Sequence, residues 1–177
     1  MTGKDGSNIT FRMLENSDGE KLGRFFSSLS TSTKSKYGPH PLTHEFALEL
    51  CQTIEHEKTT RFAALIEDEV VGYLILDFSD VRHEIERYAT FGIELTPNFD
   101  PFFAPCISDQ YQNLGISSLV MPKILEYAQH KNCNSIVLLG GTQETNTLGI
   151  SFYKKWGFKE CGSYMTEIKN LDMRLVL

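Results

Sequence analysis

Apolar and polar residues alternate over Ile9-Thr10-Phe11-Arg12-Met13, the period of a strand with one buried face. Ser17 and Glu20 have capping-box spacing, and Leu22, Phe25, Phe26 and Leu29 then recur at i, i+3, i+4 and i+7, which predicts an amphipathic helix. From Ser30 to Pro41 the period is lost among Ser, Thr, Gly and Pro, so the segment reads as a loop or an irregular turn. Thr43 is placed to cap a second helix with Phe46, Leu50 and Ile54 on one face. Arg61 to Ile66 and Val70 to Leu76 flank Glu67-Asp68-Glu69 and predict an antiparallel hairpin. Asp80 to Arg87 is a charged run, Tyr88 to Leu95 is a candidate strand, and Thr96 to Pro101 is turn chemistry.

The apolar run Phe102 to Ser108 reads as a strand that leads into Asp109-Gln110-Tyr111-Gln112-Asn113-Leu114-Gly115. Ile116, Leu119, Val120, Ile124, Leu125 and Ala128 then hold a helical period as far as the polar Lys131-Asn132. Pro122 lies inside this helix, where it removes a backbone donor and predicts a bend. Ser135 to Leu139 is a short strand stopped by Gly140-Gly141, and Asn146 to Trp156 is a helix closed by Gly157. Phe158 to Ile168 and Leu171 to Leu177 finish the chain as two strands around a turn at Asn170. No linker or repeat interrupts the pattern. The expectation is one α/β domain over residues 1–177, a mixed sheet flanked by helices.

Composition narrows the function classes. A chain of 177 residues suits one domain, and 41% hydrophobic with 23% charged residues is globular composition. No stretch approaches the ~18 consecutive apolar residues of a membrane helix, and Met1 to Asn8 has no export pattern, so a cytoplasmic protein is expected. The net charge of −6 and the scattering of 17 Lys and Arg argue against a nucleic-acid partner, whereas an acidic surface suits cationic amines and is equally the ordinary solution to solubility. Cys51, Cys106, Cys133 and Cys161 form no CxxC pair and read as reduced thiols, Cys106 as a small buried hydrophobe. His40 and His44 are spaced i, i+4, but Pro41 interrupts and no third ligand is apparent, so no metal is expected. His83 reads as solvated within its charged run.

The informative stretch is the strand that ends in a small-residue turn and opens a helix, because such a helix starts with about four unpaired backbone N–H groups. Gly115 lets the backbone approach a ligand, and Ser117 and Ser118 keep the turn uncrowded, which suits a pyrophosphate. No Lys follows the glycine and there is no GxGxxG, so neither the P-loop nor the dinucleotide fingerprint is met.

Farther along, Asn146-Thr147-Leu148-Gly149-Ile150-Ser151-Phe152-Tyr153-Lys154-Lys155-Trp156-Gly157-Phe158 resembles the Asn-x-x-Ala-x-x-x-Tyr-x-x-x-Gly-Phe helix of the GNAT superfamily of acyl-CoA-dependent N-acetyltransferases. Gln112-Asn113-Leu114-Gly115-Ile116-Ser117 resembles that superfamily's cofactor loop, with Ser117 replacing its second Gly or Ala; Gly149 replaces the Ala of the helix. The resemblance implies a GNAT-like, mostly antiparallel sheet. It implies acetyl-CoA as co-substrate, with Cys106, Ile107 and Ser108 offering backbone groups to the pantetheine arm and thioester oxygen. Amides of Gln112, Asn113, Leu114, Gly115, Ile116, Ser117 and Ser118 would hold the pyrophosphate, and Asn146 would touch the cofactor's reactive end. Tyr153 would be the general acid, since a phenol with a reference pKa of ~10 keeps its proton at neutral pH. For the base, Glu94 and Asp109 are the carboxylates to test, Glu94 also reading as an exposed strand-end charge and Asp109 as a residue that fixes the turn or the helix entry. The implied reaction is direct transfer of acetyl to a primary amine, of a small molecule or of a peptide or protein, in a ternary complex. A non-catalytic acyl-CoA-binding module is the alternative, and a homodimer is among the assemblies left open.

Overall fold

The computed structural model describes residues 1–3 and 6–177. The predicted strands form as β1 (Ile9–Met13), β2 (Thr59–Ile66), β3 (Glu69–Asp77), β4 (Phe102–Ile107), β5 (Ser135–Leu138), β7 (Lys159–Met165) and β8 (Lys169–Val176), with a two-residue β6 (Thr142–Gln143) added. They make one sheet in the order β1-β2-β3-β4-β5-β8-β6, with β7 also paired to β8. Every pairing is antiparallel except β4 with β5. Six helices accompany it: α1 (Gly19–Ser28), α2 (Thr31–Lys34), α3 (His44–Gln52), α4 (Arg82–Ala89), α5 (Ile116–His130) and α6 (Thr147–Lys155).

The central strands read as almost continuous apolar runs because both of their faces are covered. On one face Phe62, Leu74, Phe103 and Ile136 meet Val120, Met121, Ile124 and Ala128 of α5. On the other, Ala63, Tyr73, Ile75 and Cys106 meet Leu22, Phe25 and Phe26 of α1 and Leu50 of α3. Each large side chain fully removed from water contributes about 1.5–3 kcal/mol, so the predicted helical stripes dictate how the helices lie. The β2–β3 hairpin turns through Glu67 and Asp68 alone, both at positive φ (49° and 68°), the backbone that matches strand twist in a two-residue hairpin.

Four expectations need correction. The first helix is entered from Glu15 and Asp18, which exchange capping-box hydrogen bonds around a turn at Asn16–Asp18, and not from Ser17 and Glu20. Ser30 to Pro41 contains α2, capped by the Ser30 hydroxyl, which accepts from the Thr33 N–H. The strand expected at Tyr88–Leu95 does not exist, because α4 runs through Ala89 and the chain then turns. Finally, Asn170 lies inside β8; its side chain donates to Thr166 Oγ1 and the Ile168 carbonyl and thereby ties the β7–β8 turn from outside it. Pro122 occupies an exposed position, and α5 is assigned as one helix through it.

Candidate functional site

The site arises where the two parallel strands part. β4 and β5 pair only at Phe102 with Val137 and Phe103 with Leu138, and the last bond of this ladder runs from the Leu139 N–H to the Phe103 carbonyl at 3.0 Å. Beyond it β3 keeps β4 straight as far as Ile107, while Gly140 and Gly141 (φ 72° and 64°) turn the other chain away. A side chain at Gly141 would place its Cβ 2.8 Å from the Leu171 carbonyl oxygen, so the turn depends on glycine. The opening is a cleft of about 420 Å³.

Strand periodicity decides which main-chain groups face it. Val137 donates to the Pro101 carbonyl and Leu139 to the Phe103 carbonyl, so odd-numbered residues of β4 turn their polar backbone toward β5. Pro105 and Ile107 therefore face the cleft, and Cys106 pairs with Tyr73 on β3. Ser108 donates its N–H to the Val71 carbonyl at 2.9 Å and is not part of the cleft wall. Of the three residues expected to offer backbone groups, only Ile107 turns an N–H inward, and its carbonyl accepts from Gln112 Nε2 at 3.2 Å. Pro105 has no N–H to offer.

At the next turn Asn113 and Gly115 adopt left-handed backbone (φ 65° and 86°), and α5 begins at Ile116 with no side-chain cap. Among the described residues no side chain caps its first-turn N–H groups, which leaves them for an anion at the positive end of the helix dipole. Gln112, Asn113, Gly115, Ile116, Ser117 and Ser118 line the cleft, and Leu114 does not. Lys155 reaches across from α6 to donate to Ser118 Oγ at 3.2 Å, which puts a cation beside those amides.

α6 supplies the opposite wall. Asn146 caps it, its Oδ1 accepting from the Gly149 N–H at 3.2 Å while its Nδ2 donates to Thr142 Oγ1 at 3.2 Å. Tyr153 is 8% exposed, packs against Phe152 and Phe158, and lines the cleft. Among the described residues its hydroxyl has no hydrogen-bond partner, and burial raises its pKa, so the O–H is intact and uncommitted. Burial likewise pushes the Cys106 thiol up to about 12, which leaves no thiolate nucleophile there. The cleft brings together the cradle, Asn146 and Tyr153. Glu94 is not brought in: it lies exposed in the loop between α4 and β4, outside the cleft wall.

The third wall comes from the stretch that reads as a loop or an irregular turn: Thr33, Lys36, Tyr37, Gly38 and Pro39 all line the cleft. Asp109 holds this segment: its carboxylate accepts from the N–H and hydroxyl of Ser30 at 2.8 Å each and from the Thr33 hydroxyl at 2.6 Å. Gln143 adds a bond from Nε2 to the Ser35 carbonyl at 2.9 Å. An aromatic and a histidine inside a polar run, Tyr37 and His40, were the only available signal.

Those two residues belong to a cluster with defined hydrogen-bond polarity. His40 Nδ1 lies 2.9 Å from the Pro41 carbonyl, which can only accept, so Nδ1 carries the proton and Nε2 is left as an acceptor. Burial lowers the His40 pKa to about 4, which keeps the ring neutral. Two phenols approach its single lone pair, Tyr73 at 3.2 Å and Tyr37 at 3.3 Å. Tyr73 is fully buried, and among the described residues its hydroxyl has no other acceptor; leaving its O–H unmade there costs about 1–3 kcal/mol. The Tyr73 hydrogen therefore takes Nε2. The Tyr37 hydrogen, on the phenol that borders the cleft, is the one left over. No group of three or more metal-ligating side chains occurs among the described residues, and no helix there is long and apolar enough to cross a membrane.

The same architecture is found in solved structures. The GNAT domain of S. lividans PAT aligns over 100% of this chain and 95% of its own at 18% identity with a TM-score of 0.78. The ribosomal-protein-S5-alanine acetyltransferase of Vibrio fischeri aligns over 99% and 97% at 13% identity and 0.73. A putative acetyltransferase, yncA, from Salmonella typhimurium, solved with its cofactor acetyl-CoA, aligns over 96% and 94% at 13% identity and 0.69. At these identities the likeness establishes the fold. Family membership rests on the sequence itself: residues 25–158, from α1 to the end of the α6 turn, match the model of the acetyltransferase (GNAT) family, and this chain belongs to that family.

Proposed function

We propose that this protein transfers the acetyl group of acetyl-CoA to a primary amine by direct attack, with both substrates held in the one cleft. The observation that carries the reading is the uncommitted Tyr153 hydroxyl in the same cleft as the free amides that open α5. The donor set fits an acyl-CoA. First-turn amides of α5 with Lys155 suit a diphosphate, and the free edge of β4, with the Pro105 carbonyl and the Ile107 N–H, suits an amide-bearing arm. Bound acetyl-CoA supplies an activated acyl carbon. Tyr153 holds the proton that a departing thiolate requires, and burial keeps that proton in place at neutral pH. Asn146, fixed by Thr142 and Gly149, borders the reacting end. No step needs a metal.

The amine enters past Thr33 to Pro39, opposite α5 and α6. Its class is a small molecule or an exposed peptide or protein amine; the Vibrio relative's name specifies a protein alanine. Calorimetry with acetyl-CoA, followed by thiol release across paromomycin, an alanyl peptide, an Nα-blocked lysine and spermidine, tests the reading. Binding with release on one of these supports it. Tight binding with no release on any primary amine reassigns the protein as an acyl-CoA-binding module, and no binding removes the reading altogether.

A further inference from the structure

A thioester laid along β4 needs a hydrogen-bond donor at its carbonyl oxygen, because charge accumulates there when the amine attacks. The strand cannot provide a full set. Within Ala104 to Ile107 only residues 105 and 107 turn their main-chain polar groups toward the cleft, and proline at 105 has no N–H. Ile107, the one donor left, stands at the cradle end of the strand, where an arm leading in from the α5 amides first meets β4. On β4 the deeper level, at Pro105 and Cys106, turns no main-chain donor toward the cleft.

A side chain stands at that level. Tyr73 is the β3 partner of Cys106, and its ring centroid lies 6.5 Å from that of Tyr37, so Tyr37 borders the cleft against this rung of the sheet. Its hydrogen is the one that the His40 lone pair leaves over once Tyr73 has taken it. We propose that the Tyr37 hydroxyl donates to the thioester oxygen in place of the main-chain N–H that Pro105 removes, with His40 and Tyr73 as positioning residues that leave that hydrogen free. Tyr153 does not fill this place, since in the proposed reaction its single O–H serves the departing sulfur. In the resulting step the amine nitrogen bonds the acyl carbon and the carbonyl π pair moves onto oxygen, where the Tyr37 O–H stabilises it without transfer. The pair returns as the C–S bond breaks, the Tyr153 proton passes to sulfur, and the nitrogen loses one proton to water.

This inference rests on acetyl-CoA binding in the cleft, and its test separates the two. Isotope-edited infrared spectra of [1-¹³C]acetyl-CoA bound to the protein, without any amine, read the strength of the hydrogen bond at the carbonyl. The wild-type band lies below that of the free thioester, and Tyr37→Phe moves it back up while calorimetry shows acetyl-CoA still bound. Adding Pro105→Ala to Tyr37→Phe restores an N–H and lowers the band again. Bound S-ethyl-CoA, which lacks the carbonyl, shows equal affinity for all three proteins. A band unmoved by Tyr37→Phe, or moved instead by Tyr153→Phe, overturns the assignment of Tyr37. Absence of acetyl-CoA binding by wild type overturns the underlying function and this inference with it.

Discussion

The carboxylate of Asp109, which opens the turn that follows β4, closes on the backbone N–H and the hydroxyl of Ser30, 79 positions earlier in the chain, at 2.8 Å each. With the Thr33 hydroxyl it makes three bonds from the cradle side of the cleft to the wall that carries Tyr37. These bonds hold its pKa below the usual carboxylate range. Asp109→Ala is expected to release the Ser30–Ser35 segment. The cost is about 1 kcal/mol, because the site is exposed and water screens part of the interaction. The consequence for function is a raised KM for the amine with little change in acetyl-CoA affinity. An equal loss of affinity for both substrates would show that the cradle itself depends on Asp109.

A second prediction concerns acid. The folded-state pKa of His40, about 4, lies below its ordinary 6.5 because the buried ring resists charge. Between those values the unfolded chain binds a proton that the folded chain does not, so stability rises with pH across the window. Stability is complete above pH 6.5, falls as pH drops toward 4, and loses nothing more from this group below that. At 1.36 kcal/mol per pKa unit the whole span from about 4 to 6.5 is roughly 3 kcal/mol. Urea melts from pH 7 to pH 4 should show this slope, and His40→Gln should flatten it. A slope beginning only below pH 4 would assign it to carboxylates.

Some of this was legible in the sequence and some was not, for a definable reason. The α5 and α6 helices and the strands around them announce themselves by apolar period, and the cradle by Gly115 before a helix. α4 is hidden because its buried face is ionic. Glu84 is 2% exposed and meets Arg87, which also reaches Asp172 of β8 through two bonds and stacks on the Tyr164 ring at 4.0 Å. Tyr88 is that helix's one fully buried apolar anchor, so Asp80 to Arg87 reads only as a charged run. The Tyr37–His40–Tyr73 cluster is invisible for a different reason. Its partners come from a loop and a strand 33 residues apart and meet only through the fold.

Gly149 offers a test of local packing. The family's helix has alanine here, and alanine gains about 1 kcal/mol of helix propensity over glycine. In this chain a Cβ at 149 would lie 2.5 Å from Asn146 Nδ2 and 2.9 Å from its Cγ, so the capping carboxamide must move. Loss of that cap costs ~1 kcal/mol, and the Thr142 bond goes with it. Gly149→Ala is therefore expected to leave stability nearly unchanged while disturbing the wall near Tyr153. Thermal melts within a few degrees of wild type, with slower turnover, are the expected pair of results. A clear rise in melting temperature at full activity would mean that Asn146 relocates without consequence.

The role of Tyr153 is open to the sharpest comparison, because removing one oxygen removes the proton donor and little else. The ring packs against Phe152 and Phe158, contacts that Phe keeps, and the hydroxyl has no internal partner among the described residues to leave unpaired. Tyr153→Phe should accordingly fold as wild type and bind acetyl-CoA as wild type. A positioned acid contributes roughly 10²–10⁴-fold, so kcat should fall within that range while KM for acetyl-CoA stays put. The loss should depend on the leaving group. An acyl-CoA analogue that releases a less basic thiolate needs the proton less, and the variant should recover part of its deficit with it. Equal deficits on both substrates would place Tyr153 in packing or orientation of the acyl group, and wild-type rates on acetyl-CoA would take it out of the chemistry while leaving the cleft and its cradle intact.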